Sequence, residues 1–179
     1  MSSRFATVCA LLIAVVPRVH AEEVVIDFEQ AEIGKPVREW VEKGVVFKLA
    51  GPLIHSKAAG RIMFFPHIGT DHKGILNAMA TEQAVPVQAT FPKSVATVTL
   101  VMWGSTGSPA LLEALDDNGV VVDKASVAAA PSRKTPEEPV PFFRLTVTAR
   151  SIAAIRFSGP RDGEFLAADE IHFTFADLK

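Results

Sequence analysis

His67, Asp71 and His72, with His55 upstream, form the one group in this sequence that gathers transition-metal donor types. Their spacing lacks the i, i+4 helical histidine pair of a zincin, and no cysteine joins them. The chemistry open to them is coordination of Zn²⁺ or a similar ion in a loop, with metal-dependent hydrolysis as its extension. Loop histidines of exported domains are usually solvated or bonded locally, which is the plainer account. Trp40 and Trp103 have the flat apolar faces on which a sugar ring can stack, and either can equally serve as packing. There is no tyrosine.

The carboxylates do not pair for glycoside hydrolysis. Asp116-Asp117, Glu137-Glu138 and Asp169-Glu170 are adjacent in sequence, and adjacent strand residues point to opposite faces. No nucleophile elbow, P-loop or dinucleotide fingerprint is present. Asp169 is the one carboxylate out of character. Gly163 to Phe175 reads as a long strand with Phe165, Ala167, Asp169, Ile171, Phe173 and Phe175 on its apolar face. A carboxylate there must be neutralised, hydrogen-bonded or bound to a cation.

Short strands must position these groups. Alternation or apolar runs mark candidate segments at Glu23 to Glu29, Val45 to Leu49, Ile75 to Ala80, Val85 to Phe91, Val95 to Trp103, Ala110 to Leu115, Val120 to Val127, Phe142 to Thr148 and Ile152 to Ser158, before the closing strand, with Arg61 to Phe65 a further short apolar run. Pro36 to Lys43 reads as one or two helical turns ended by Gly44. Pro92-Lys93 reads as a tight link between two strands, and Asn118-Gly119 as a hairpin turn, because both residues tolerate positive φ. Pro66 to Gly74 and Ala128 to Pro141 read as loops. The spacing predicts an all-β fold: one antiparallel β-sandwich of about nine strands.

Composition sets the compartment. Arg4, the apolar run Ala6 to Val16, and Val19-His20-Ala21 read as a signal peptide over residues 1–21, leaving a single domain over 22–179. Cys9 is the sole cysteine and falls inside that signal, so the exported domain relies on its core, or on metal ions, rather than on disulfides. Without Arg4 and Arg18 there remain 16 basic against 20 acidic residues, an acidic balance that argues against nucleic acid. No later apolar run is long enough to span a membrane. The expected address is periplasmic or extracellular.

Four segments carry a resemblance. They are Ile26-Asp27-Phe28-Glu29 with Gly34, Trp40 and Gly44-Val45-Val46-Phe47; Leu112 to Val121 around Asp116-Asp117-Asn118-Gly119; Ile152 to Gly159; and Phe165 to Phe173. In that order they resemble exported bacterial jelly-roll domains, similar to galactose-binding-like and carbohydrate-binding-module-like sandwiches. Glu170 stands where the family pattern has a second Asp. The resemblance implies a structural Ca²⁺ between the first and last strands, held by Glu29 and Asp169 with Asp27 and Glu170 beside them, and by backbone carbonyls. The competing account has Asp169 accepting backbone hydrogen bonds. Three functional readings follow. The first is a non-catalytic module binding a saccharide or other extracellular ligand, with Trp103, His67, Asp71 and His72 as candidate contacts. The second is an adhesion-type envelope protein that meets another protein. The third is a small hydrolase built on His67, Asp71 and His72.

Overall fold

Alternating apolar residues organise ten strands in the computed structural model, which describes residues 23–51, 61–77, 85–104, 107–158 and 166–176. They are β1 (Glu23–Ile26), β2 (Trp40–Glu42), β3 (Val45–Leu49), β4 (Ile62–Pro66), β5 (Lys73–Asn77), β6 (Val87–Gly104), β7 (Ala110–Leu115), β8 (Val121–Val127), β9 (Phe143–Ser158) and β10 (Leu166–Phe175). All strand pairings are antiparallel. The expected signal segment, His55, Phe165 and residues 159–163 lie outside the described residues.

Two strands are longer than the sequence pattern suggests. The four separate strands expected on either side of Pro92-Lys93 and of Ala149-Arg150-Ser151 are two continuous ones, β6 and β9. Both pass through irregular register near their middles, between Thr90 and Thr97 on β6 and between Thr148 and Ala154 on β9. The first part of β6 pairs with β3 and with the second part of β9, which pairs on with β7 and then β8. The second part of β6 pairs with β10 and the first part of β9. The result is a two-layered β-sandwich whose layers share β6 and β9. One core cluster joins them, drawing Phe47, Ala89 and Ile155 from one layer and Leu100, Val147 and Ile171 from the other. Phe28 meets Phe47 edge-on at 5.3 Å, and Phe91 meets Phe173 at 5.0 Å.

Pro36 to Lys43 is not helical, and among the described residues there is no helix. Val37 forms an isolated bridge to Ile62, and Trp40–Glu42 pairs with β3 through a turn with Lys43 and Gly44 at positive φ. Pairing with β3 outweighs the weak helical spacing. The hairpin between β7 and β8 forms as expected, but only Gly119 takes positive φ (77°). Asp116 does the rest, its Oδ1 accepting the N–H groups of Asn118 and Val120 at 2.9 Å each.

β10 departs most from strict alternation. Leu166 and Ala168 face the main core, Ala167 packs with Leu76 and Trp103 on the other side, and Ile171 and Phe173 return to the core. The side-chain phase slips between Ala168, which pairs with Met102, and Glu170, which pairs with Val101. Asp169 is the extra residue of this bulge. It is buried as expected, yet not in phase with the core-facing set, and Phe175 at the end of that set is 36% exposed.

Candidate functional site

The bulge lies at a break in the sheet edge. One edge of β10 pairs with β6 throughout; the other pairs with β5 at Ala168 and with β1 from Ile171 onward. Asp169 and Glu170 fall where the second edge passes from one neighbour to the other. The chain leaving β1 brings Asp27 and Glu29 to this break, and the chain entering β5 brings His72 and Lys73. Phe28 holds φ at 57°, a region that disfavours bulky residues, while its ring is fully buried. Asp27 Oδ1 accepts the Glu29 N–H at 3.2 Å across it.

Asp169 is 2% exposed, and its Oδ1 has no hydrogen-bond partner. Its Oδ2 lies 3.5 Å from His72 Nδ1. Burial pushes its carboxyl up to about 6; His72 acts in the opposite direction, and Glu170, Glu29 and Asp27 add to the rise. One donor atom each from His72, Asp169 and Glu170 lies within 4.8 Å of the other two. Glu170 Oε2 is held by His172 Nε2 at 2.9 Å, and His172 Nδ1 lies 3.3 Å from Glu23 Oε1. Lys73 Nζ donates to the carbonyl oxygens of Glu29 and Ala31.

The all-oxygen calcium site implied by the resemblance does not fit this arrangement. Ca²⁺ takes six to eight hard oxygens. Here the carbonyls of Glu29 and Ala31 already face an ammonium, and an imidazole nitrogen faces the buried carboxylate. Glu29 and Asp27 stand near Asp169 as charges but outside the converging donor group.

The other candidate contacts are scattered. His67 is 1% exposed and uses both ring nitrogens: Nε2 donates to Val140 O at 2.6 Å, which leaves Nδ1 to accept from the Thr70 hydroxyl at 2.9 Å. Its ring stacks on Phe142 at 4.3 Å and meets Trp103 edge-on. It is therefore a packing residue of its turn and not a free ligand for metal, which removes the His67–His72 pair that a loop hydrolase needs. Asp71 is exposed on the same turn. Trp103 is 2% exposed, packed with Leu76 and Ala167, and offers no face to a sugar. Trp40 packs edge-on against Phe64, and its Nε1 donates to Glu42 Oε2 at 3.1 Å.

Burial lowers the His67 pKa below its usual 6.5, opposed by the Val140 hydrogen bond and reinforced by His72. A histidine kept neutral in the fold stabilises it fully above the unfolded pKa, and the contribution is lost as pH falls through the lower folded value. Measured with chelator, the wild type should lose stability relative to His67→Gln on acidification below about pH 6.5. Equal slopes for the two proteins would remove His67 as the cause.

A second feature was not apparent from sequence. On the outer face of the layer containing β3 and β7, a groove of about 390 Å³ is lined by Gln88, Thr90, Phe91, Asp116, Asp117 and Arg156, among others. Arg156 Nη2 lies 3.1 Å from Glu113 Oε2, and its buried Nε has no hydrogen-bond partner. Gln88 Nε2 donates to Thr90 Oγ1 at 3.3 Å. The available signal was polar residues out of step with apolar strands: Gln88 and Thr90 between Val87, Ala89 and Phe91, and Arg156 between Ile155 and Phe157.

No family model matches the chain, and no curated protein matches it. Among solved structures, BiXyn10A CBM1 in its apo form is similar at a TM-score of 0.43 and 10% identity, covering 86% of this chain and 97% of that one. The K1 cleaved adhesin domain of Lys-gingipain from Porphyromonas gingivalis W83 is similar at a TM-score of 0.41 and 11% identity, covering 86% of this chain and 98% of that one. Neither likeness assigns this chain a ligand.

Proposed function

We propose that the chain is an exported, non-catalytic binding module that holds a neutral, hydroxyl-rich ligand, a saccharide by class, in the groove across β6, β9 and the β7–β8 turn. The observation that carries this reading is Arg156. Arg156 lines the groove, and its guanidinium is held by Glu113 at 3.1 Å. Asp116, Asp117 and Gln88 supply acceptors for hydroxyl protons around it. A neutral ligand suits the site better than an acidic one, because Glu113, Asp116 and Asp117 would repel added negative charge. The volume lies within the range of small-molecule sites. The aromatic residue in the lining, Phe91, is buried, so affinity rests on hydrogen bonds.

The test is titration of the protein with a panel of neutral oligosaccharides, followed by isothermal calorimetry and by amide shifts of Gln88, Thr90 and Arg156. Arg156→Ala should weaken binding by roughly tenfold or more, the usual scale for a hydrogen bond to a charged group. No binding across the panel, or binding that shifts other residues and survives Arg156→Ala, rejects the groove. The adhesion reading draws on Val120, Val121 and Val122, 58%, 40% and 43% exposed, at the start of β8, whose only strand partner among the described residues is β7. A protein ligand that shifts these residues instead would favour it.

A further inference from the structure

We infer that His72, Asp169 and Glu170 form a binding site for a borderline transition-metal dication, Zn²⁺ by class, in place of the calcium site that the resemblance implies. The inference is independent of the saccharide groove.

Three observations carry it. The first is the donor set. One imidazole nitrogen and two carboxylate oxygens from separate positions lie within 4.8 Å of one another. Mixed nitrogen and oxygen donors suit Zn²⁺ and its neighbours, while Ca²⁺ selects oxygen alone. Three protein ligands and one open position is the pattern of an accessible zinc site. His72, with its side chain 44% exposed, leaves that position open to solvent.

The second is Asp169. Its side chain is 3% exposed, and its Oδ1 has no hydrogen-bond partner, although the carboxylate belongs to this donor group. A buried carboxylate oxygen with no donor is costly, and a cation satisfies it. The third is the surroundings. His172 bonds Glu170 Oε2 and is itself approached by Glu23, the kind of outer support that orients a metal-bound carboxylate. Lys73 occupies the carbonyls of Glu29 and Ala31, so the oxygens that would complete a calcium sphere already serve another cation.

The experiment uses the full chain prepared without a polyhistidine tag and stripped with chelator. Zn²⁺, Co²⁺ and Ca²⁺ are titrated singly by calorimetry, and the visible spectrum of the Co²⁺ form reports nitrogen ligation. Zn²⁺ is expected to bind one to one and to raise the unfolding midpoint. His72→Ala, a change at an exposed turn, should abolish this. His172→Ala, a positioning change, should weaken Zn²⁺ by about tenfold or more. His67→Gln should leave it intact. The inference is overturned by an absence of Zn²⁺ binding, by Zn²⁺ binding that survives His72→Ala, or by Ca²⁺ binding in preference to Zn²⁺. None of these outcomes bears on oligosaccharide binding at Arg156, so the two readings can fail separately.

Discussion

In chelator near neutral pH, Asp169→Asn should unfold at a higher temperature than the wild type, by roughly 5 °C for a stabilisation of about 2 kcal/mol in a domain of this size. Replacing a buried charge with an amide of the same shape usually destabilises a well-satisfied site. Here the carboxylate has an oxygen without a partner, a histidine at 3.5 Å, and three further acids acting on it. With its carboxyl raised from 3.8 to about 6, ionising Asp169 opposes folding. That opposition is absent below 3.8, develops across the interval, and is complete at neutral pH. The gap between variant and wild type should therefore close on acidification. Saturating Zn²⁺ should reverse the order, because ligand at a hundred times its Kd adds about 2.7 kcal/mol to the protein that binds it and nothing to the variant. Scanning calorimetry of both proteins with chelator and then with Zn²⁺ checks each part. If the variant is the less stable one in chelator, the His72–Asp169 pair already satisfies the carboxylate, and the argument from an uncompensated charge is wrong.

The second large effect is steric. Gly74→Ala should destabilise by about 3 kcal/mol, roughly 10 °C, the upper end of overpacking costs. A Cβ at Gly74 would lie 2.8 Å from Ala167 Cβ, 2.8 Å from Trp103 Nε1 and 3.2 Å from Ala168 O. Ala167 is fully buried on β10 and cannot give way without moving the strand. Displacing β5 also moves His72 and Lys73 from the break, so cation binding should weaken together with stability. Gly51→Ala, where nothing lies within 4 Å of the added carbon, is the control and should be neutral. A Gly74→Ala protein that melts with the wild type would show that β5 approaches β10 less closely than described.

Local chemistry was legible in the sequence where it was self-contained. The Asp116–Gly119 turn, the first strand as far as Ile26 and the anomaly of Asp169 all follow from a few adjacent residues; the strand expected to continue to Glu29 ends there because Phe28 takes a positive φ. What could not be read required knowledge of the partner strand. Pro92 looks like a break, but β6 bends at that point and continues as one strand through both layers. Trp103 and His67 look like contacts for a ligand, yet they pack edge-on with each other, brought together by the pairing of β5 with β10. Asp169 was correctly placed in the interior, but the bulge that carries it slips the phase of β10, and a single skipped position leaves no mark in an alternating pattern. Lys73 was silent altogether, because its role depends on carbonyls contributed by residues more than forty positions earlier.

The place of β10 has a kinetic consequence. The last described strand lies between β6 on one side and β1 and β5 on the other, so each of those strands lacks a neighbour until the C-terminal segment arrives. The contacts are predominantly long-range in sequence, a topology that folds in milliseconds to seconds rather than microseconds. A chain emerging from its N-terminus therefore cannot close this half of the sandwich early. That half of the sandwich stays open until β10 is available to join β1, β5 and β6, so its closure waits on the last described strand.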